Sequence, residues 1–457
     1  MRSKGALAGE WRRATGLLAE RGIARARGRR LAVVLVWLVM AILAACSSSP
    51  RTVQKRTGVD PSSSSPSPSL AGQHVPPPLL RDTRLRVVNA IISHMTLDQK
   101  LGQLFIVEYL YPDPNHPDLQ NMISHLGAGG VILYKSMNIA SVGQMQQLTS
   151  AMQAAASIPL IIGADEEGGG DEQIDGIFGP HPTEWQIGQT GDPQQAARLG
   201  AQLASELKQL GVNADFAPVV DVLDPRKIWI RPFSRSPTVV SQMGAAEVDA
   251  MQSAGVMACP KHFPGLGAAL VNPHDGLPVI TSSRQHIEQV DLAPYRALMA
   301  HHPAMIMTTD LLMPALDPTM PAELSYPIVT GILRDEIGYD GVVVTDALYM
   351  GGITDRYSMA EAGVLAILAG NDMLEGPWDT AQMSAMVDAL RAAVQSGRLS
   401  TARIDASVRR ILLLKQQYGL LPSMSYHRTG PGPAAGDLAA GVSPWSIFDP
   451  AADVRHT

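Results

Sequence analysis

Gly341-Val342-Val343-Val344-Thr345-Asp346-Ala347-Leu348 is the stretch on which the fold turns. Its β-branched residues show no polar alternation, so both faces of the strand they predict must be covered, as in a parallel sheet flanked by helices. The run then ends on a carboxylate. A polar side chain at the end of a buried strand opens into a shared pocket without the desolvation cost it would carry in mid-core. A second apolar run, closing at Cys259, leads into Lys261-His262-Phe263-Pro264-Gly265, with a further polar cluster at Asn272 and His274. A cation and imidazoles thus stand where a strand should leave a core, and the two stretches together point to an enzyme.

Outward from these runs the chain alternates short apolar segments with helical patterns. The segments are Gln103 to Val107, Gly130 to Tyr134, Leu160 to Ala164, Ala214 to Val220, Val256 to Cys259, Ala304 to Thr308, Gly341 to Thr345 and Asp372 to Leu374. Between them, Asp192-Pro193 opens a helix that stops at Gly211, and Ser325 begins another that ends near Gly338. Eight strand and helix units predict a closed (β/α)8 barrel, an α/β fold with a single catalytic domain; an open doubly wound sheet is the alternative. In a barrel the chemistry gathers at the C-terminal ends of the strands. Asp165 and Glu167 follow the third run, Asp221 the fourth, Lys261 and His262 the fifth, Asp310 the sixth, Asp346 the seventh and Glu375 the eighth. Any one of these carboxylates is equally at home capping the next helix; six such coincidences are harder to dismiss.

A charged fraction of 17% and a net charge of -6 give no basic field for nucleic acid, which is excluded as a partner class. The only cysteines are Cys46 and Cys259, too few for a disulfide framework. Cys259 reads as a small core residue. Near the start, Arg25, Arg27, Arg29 and Arg30 precede an apolar run of 15 residues, Leu31 to Ala45. That is shorter than the roughly 20 residues a spanning helix needs, so an export signal is expected, with an uncleaved membrane anchor as the alternative. Leu43-Ala44-Ala45-Cys46 resembles the lipobox of bacterial lipoproteins, which implies lipidation of Cys46, a membrane partner and an extracytoplasmic domain. The expected organisation is a signal and lipobox over 1–46, a Ser/Pro-rich spacer over 47–82, the barrel over 83–422 and a low-complexity tail over 423–457.

From Met95-Thr96-Leu97 to about Gly419 the motifs resemble those of the family 3 glycoside hydrolases, in their β-N-acetylhexosaminidase branch. The resemblance is carried by Gly129 to Leu133, Asp165 to Gly169, Phe216 to Val222, Arg231 with Phe233, Lys261 to Gly265, Pro321 to Ser325 and Thr345 to Met350. It implies retaining hydrolysis of a β-linked N-acetylglucosaminide, drawn from a glycan or cell-wall fragment, with no metal or other cofactor. Asp346 matches the nucleophile and His274 the general acid and base, while Asp165, Arg231, Lys261 and His262 match residues that hold sugar hydroxyls. Lys261 is expected to pair with a site carboxylate, Asp165 or Asp346. The acidic run Asp165-Glu166-Glu167, with Asp171 and Glu172, suits a hard cation only if the chain wraps it around one centre; Gly168 to Gly170 make a solvated loop the simpler expectation.

The chain departs from the family pattern at several places. Gly170 and Gln173 stand where the pattern has arginines, and Leu266 stands where a second histidine is common. The aspartate, serine, histidine triplet is Asn272-Pro273-His274, leaving Asn272 and Asp275 as the groups available to orient His274. An asparagine accepts a hydrogen bond from the imidazole but does not offset its charge once protonated. A catalytically impaired sugar-binding protein, or a glycosidase of altered sugar specificity, is therefore the alternative function.

Overall fold

The computed structural model describes residues 78–169, 171–226 and 231–421. The expected export signal, Cys46, most of the spacer and the C-terminal tail lie outside the described residues. Each of the eight apolar runs overlaps a strand: β1 (Phe105–Glu108), β2 (Gly130–Ile132), β3 (Ile161–Ala164), β4 (Ala214–Asp215), β5 (Met257–Ala258), β6 (Met305–Met307), β7 (Val342–Ala347) and β8 (Met373–Glu375), with β1, β7 and β8 running one or two residues past the expected ends. All pairings are parallel, in the order β5-β4-β3-β2-β1-β8-β7-β6. The seam between β5 and β6 is bridged just beyond the strands, where Phe263 pairs with Thr308, Phe263 N donates to Met307 O at 2.8 Å and Met307 N donates to Pro260 O at 3.1 Å. The sheet is thus a (β/α)8 barrel and not an open doubly wound layer.

The β-branched run behaves as its composition requires. Val342, Val343 and Val344 are buried on both faces of β7, enclosed by the barrel interior on one side and the helical shell on the other. The helices start and stop on local chemistry. Asp192 Oδ1 accepts from Gln194 N at 3.0 Å ahead of Pro193, helix Pro193–Gln209 buries Ala196, Leu199, Leu203 and Leu207 on one face, and Gly211 at φ +76° turns the chain toward β4. The first described helix, Pro78–His94, begins inside the stretch expected to be spacer and packs against the last helix, Thr401–Gln417.

The barrel end opposite the strand C-termini is tied by one buried carboxylate. Asp372, immediately before β8, accepts from Arg334 at 2.6 Å, Ser407 at 2.6 Å, Arg410 at 3.3 Å and Arg403 at 3.4 Å. Burial alone would favour its neutral form, but three guanidinium groups hold it below the usual aspartate value. Close by in the same shell, Lys415 is fully buried and donates to Gln103 Oε1 at 2.8 Å; desolvation lowers its pKa to about 7.

Candidate active site

The strand C-termini open into one mouth whose centre is Lys261. Its ammonium is almost fully buried and lies 2.5 Å from Asp165 Oδ1 and 2.7 Å from Glu167 Oε1. Lysine and carboxylates come from the residues just beyond β5 and β3, strands separated by β4 alone. Of the two partners expected for Lys261 the structure selects Asp165, and adds Glu167. Arg231 clamps Glu167 with two hydrogen bonds, Nε to Oε2 at 2.7 Å and Nη2 to Oε1, and its Nε also lies 3.2 Å from Asp171 Oδ2. Burial would raise the Glu167 pKa, yet Arg231 and Lys261 together lower it to about 2. Burial likewise opposes the charge on Lys261, and Asp165 with Glu167 more than restores it.

The acidic run does not converge on one centre. Glu166 turns away from the mouth and folds its own loop, accepting from Gln173 N at 2.7 Å, Ile174 N at 3.0 Å and Gly168 N at 3.3 Å; burial raises its pKa to about 7. Gln173, where the family pattern has arginine, is turned the same way: its Oε1 accepts from Lys135 N at 2.9 Å.

His262 is buried against Asp221, the carboxylate that ends the fourth run. Nδ1 lies 2.8 Å from Asp221 Oδ2, while Asp221 Oδ1 accepts from Leu266 N at 2.7 Å and His262 N at 3.3 Å. One carboxylate therefore fixes both the ring and the turn that follows it. Gly265 makes that turn at φ +135°, where a Cβ would meet Asp291 Cβ at 2.8 Å, so the turn closes only with glycine.

Asp346 projects from β7. Its Oδ2 accepts from Thr309 Oγ1 at 3.0 Å and its Oδ1 from Ala347 N at 2.9 Å. Behind it lie two fully buried acids, Asp310 and Glu323, none of whose four carboxyl oxygens has a donor at good hydrogen-bonding geometry among the described residues. A carboxyl buried beside another carboxylate keeps its proton: burial and the Asp346 charge raise the Asp310 pKa to about 9 against opposing donation from Thr309, and burial, Asp310 and Asp346 raise that of Glu323 against the Asp346 amide. On the other flank, Glu375 ends β8 almost fully buried with Oε2 unpartnered, raised by burial and by Asp165, Asp346 and Glu108.

His274 sits on the short turn Pro273–Asp275, exposed, on a loop seated against Gly351, where a Cβ would stand 3.0 Å from both His274 O and Gly276 N. Asn272, expected to orient the imidazole, accepts from the His274 backbone amide at 3.1 Å through its Oδ1. Pro273 pre-sets the turn, and the asparagine oxygen closes on the nearest amide two residues on. Asp275 is exposed, and among the described residues the imidazole has no hydrogen-bond partner. The loop borders a cleft of about 220 Å³ lined by Asp221, Arg231, Leu266, Leu270, Val271 and Asn272.

The structure therefore brings Asp165, Arg231, Lys261, His262 and Asp346 to one mouth and leaves His274 on a loop at its edge. Sequence reasoning placed Glu167, Asp221, Asp310 and Glu375 at strand ends without assigning them partners, and it missed Thr309 and Glu108. Thr309 was findable only as a hydroxyl adjoining the strand-end Asp310.

Residues 96–414 match the sequence profile of the glycosyl hydrolase family 3 N-terminal domain. Beta-hexosaminidase A of Pseudoalteromonas piscicida is 35% identical over 370 residues, covering 70% of this chain and 61% of its own length. An uncharacterized secreted glycosyl hydrolase of Arthroderma benhamiae is 34% identical over 324 residues, covering 68% of this chain and 91% of its own. Among solved structures, a family 3 β-N-acetylglucosaminidase from a Paenibacillus species superposes with a TM-score of 0.68 at 34% identity, over 76% of this chain and 66% of that one. The profile match over most of the chain, on a barrel with these residues at its mouth, places the chain in glycosyl hydrolase family 3.

Proposed function

We propose that the chain hydrolyses terminal β-linked N-acetylglucosaminides with retention, through a covalent glycosyl-enzyme on Asp346. The observation that carries this reading is the setting of Asp346: a carboxylate at the tip of a barrel strand, steadied by one hydroxyl and one amide, facing a mouth lined with groups that bind hydroxyls. In the first step an Asp346 oxygen bonds to the anomeric carbon as the bond to the leaving oxygen breaks, and His274 gives that oxygen a proton. In the second, His274 takes a proton from water, the water oxygen bonds to the anomeric carbon, and Asp346 is released. Asp165, Lys261, Arg231 and His262 hold the ring hydroxyls, tightening as positive charge develops on the sugar.

The two relatives named for hexosaminidase and N-acetylglucosaminidase activity support the substrate class. The apolar run ahead of Cys46 and the secreted relative support an extracytoplasmic site of action, with lipidation of Cys46 as the anchor and cell-wall fragments within reach of the spacer. One observation favours a second reading, slow turnover by a protein that mainly binds sugar: no carboxylate partners the His274 ring among the described residues. Mass spectrometry after incubation with a fluorinated N-acetylglucosaminide bearing a good leaving group tests the proposal. A sugar adduct on Asp346 supports it; binding of N-acetylglucosamine fragments with neither adduct nor turnover favours the second reading.

A further inference from the structure

The loop that follows β5 is apolar where it meets solvent. Between the turn at Gly265 and Asn272 it reads Leu266-Gly267-Ala268-Ala269-Leu270-Val271, without a polar side chain. Its base is fixed: Leu266 N donates to Asp221 Oδ1 at 2.7 Å, Asp224 N donates to Gly267 O at 3.1 Å, and a Cβ on Gly267 would meet Val222 O at 2.0 Å. Beyond that base Leu270 is 69% exposed and Val271 46%. An exposed apolar run on an anchored loop marks a surface that something covers. Both side chains line the cleft of about 220 Å³, together with Leu223, Pro232 and Leu266. Leu266 stands where the family pattern commonly has histidine, a departure that puts hydrocarbon in the wall of the cleft. The polar groups of the cleft are already engaged. Asp221 serves His262 and the Leu266 amide, Arg231 serves Glu167 and Asp171, and Asn272 Oδ1 closes its own turn.

We infer that this cleft is the leaving-group subsite and that it takes a hydrocarbon aglycone, so that the preferred substrates are N-acetylglucosaminides of alkyl or aryl alcohols. The inference rests on the reading above, which sets the glycone at Asp346 and sends the proton of His274 to the leaving oxygen. That transfer needs the oxygen within hydrogen-bond reach of the imidazole. The group attached to the oxygen then lies along the loop that carries His274, and the cleft runs along the same loop, with Asn272 and Pro273 in its wall. Arg231 borders both the cleft and the mouth, so the two are continuous. A second sugar would bring hydroxyls to a wall whose polar groups are engaged, and each hydroxyl left without a partner weakens binding. Among the described residues no aromatic ring lines the cleft for the face of a sugar to rest on. An alkyl chain or aryl ring instead covers Leu270 and Val271 and removes their apolar surface from water.

The test is calorimetric titration of the full chain with methyl and hexyl thioglycosides of β-N-acetylglucosamine and with its thio-linked disaccharide, whose sulfur linkages resist hydrolysis during the measurement. The hexyl compound is expected to bind about tenfold more tightly than the methyl compound or the disaccharide, with a more negative heat-capacity change. In a double variant, Leu270→Asn with Val271→Thr, the hexyl-to-methyl ratio falls toward one while the methyl compound binds as before. Leu266→His lowers the ratio from inside the cleft. Equal binding of the hexyl and methyl compounds by the native chain overturns the hydrocarbon subsite and leaves the hydrolytic reading standing, because the glycone still binds. A ratio unchanged in every variant also overturns it, as does a disaccharide that binds as tightly as the hexyl compound. Self-association or vesicle binding that disappears in the double variant, with hexyl and methyl compounds bound alike, assigns the patch to a second copy or a lipid surface and overturns the proposal. Failure of all three compounds to bind overturns the reading of the glycone as well.

Discussion

Thr309 Oγ1 donates to Asp346 Oδ2 at 3.0 Å, joining a hydroxyl just past β6 to a carboxylate on β7. Because the strands are neighbours in register, Met307 opposite Val344, the two residues that follow them meet across the barrel rim. The bond orients one carboxylate oxygen, while Ala347 N holds the other.

Replacing Thr309 by valine keeps the β-branched shape and removes the donor. A hydrogen bond to a charged group is worth about 1.5–3 kcal/mol, so kcat should fall about ten- to hundredfold with KM little moved. Steady-state kinetics on an aryl N-acetylglucosaminide checks this; a KM rise at unchanged kcat would mean that Thr309 serves binding and not the nucleophile.

Asp310 should make the protein less stable as pH rises. Its folded pKa, raised to about 9 by burial and then by Asp346, lies above that of the unfolded chain, so the native state holds a proton that the unfolded state has released. Stability is then lost at up to about 1.4 kcal/mol per pH unit between the usual aspartate value and about 9. Asp310→Asn removes this dependence: its melting temperature should exceed the native one increasingly from about pH 5 to about pH 8. A constant difference across that interval would show that Asp310 is not held neutral.

Glu167 works in the opposite sense. Its folded pKa of about 2 lies below the unfolded value, so it contributes stability that is complete above the usual glutamate range and disappears as pH falls through about 2. Linkage puts that contribution at about 3 kcal/mol. Glu167→Gln should lose roughly that much by urea unfolding at neutral pH, with the gap to the native protein narrowing in acid. An equal loss at all pH values would trace the effect to packing.

Asn272→Asp restores a carboxylate beside His274 while keeping an oxygen that caps the turn. Protonated imidazole is then better stabilised, and hydrolysis of a substrate with a poor leaving group should rise about tenfold, with little change for an activated one. Comparing kcat/KM for alkyl and nitrophenyl glycosides decides it. If both respond alike, His274 is not supplying the proton.

The strands were legible because parallel strands buried on two sides leave uninterrupted apolar runs, and each run stops where the backbone meets the mouth. The Val342–Val344 run needed no partner information to be read. Pairings across the mouth were less legible. His262 and Asp221 are 41 residues apart and Thr309 and Asp346 are 37 apart; a sequence marks both members of such a pair as polar strand ends without saying which strands adjoin. The contact Asn272 makes was illegible for a different reason. Its residue type is compatible with either an imidazole or a backbone amide, and the turn geometry set by Pro273 decides between them.

Strand β8 is three residues long, yet it separates two opposite electrostatic regimes. Asp372 at its base is saturated by three arginines, and Glu375 at its tip has a buried oxygen with no donor at all. The fastening at the base and the unpartnered acid at the mouth therefore occupy separate ends of one short element. Such a layout lets the tip of β8 change without loosening the ion pairs at its base. A side chain at the mouth can therefore be exchanged while the base of the strand stays as it is.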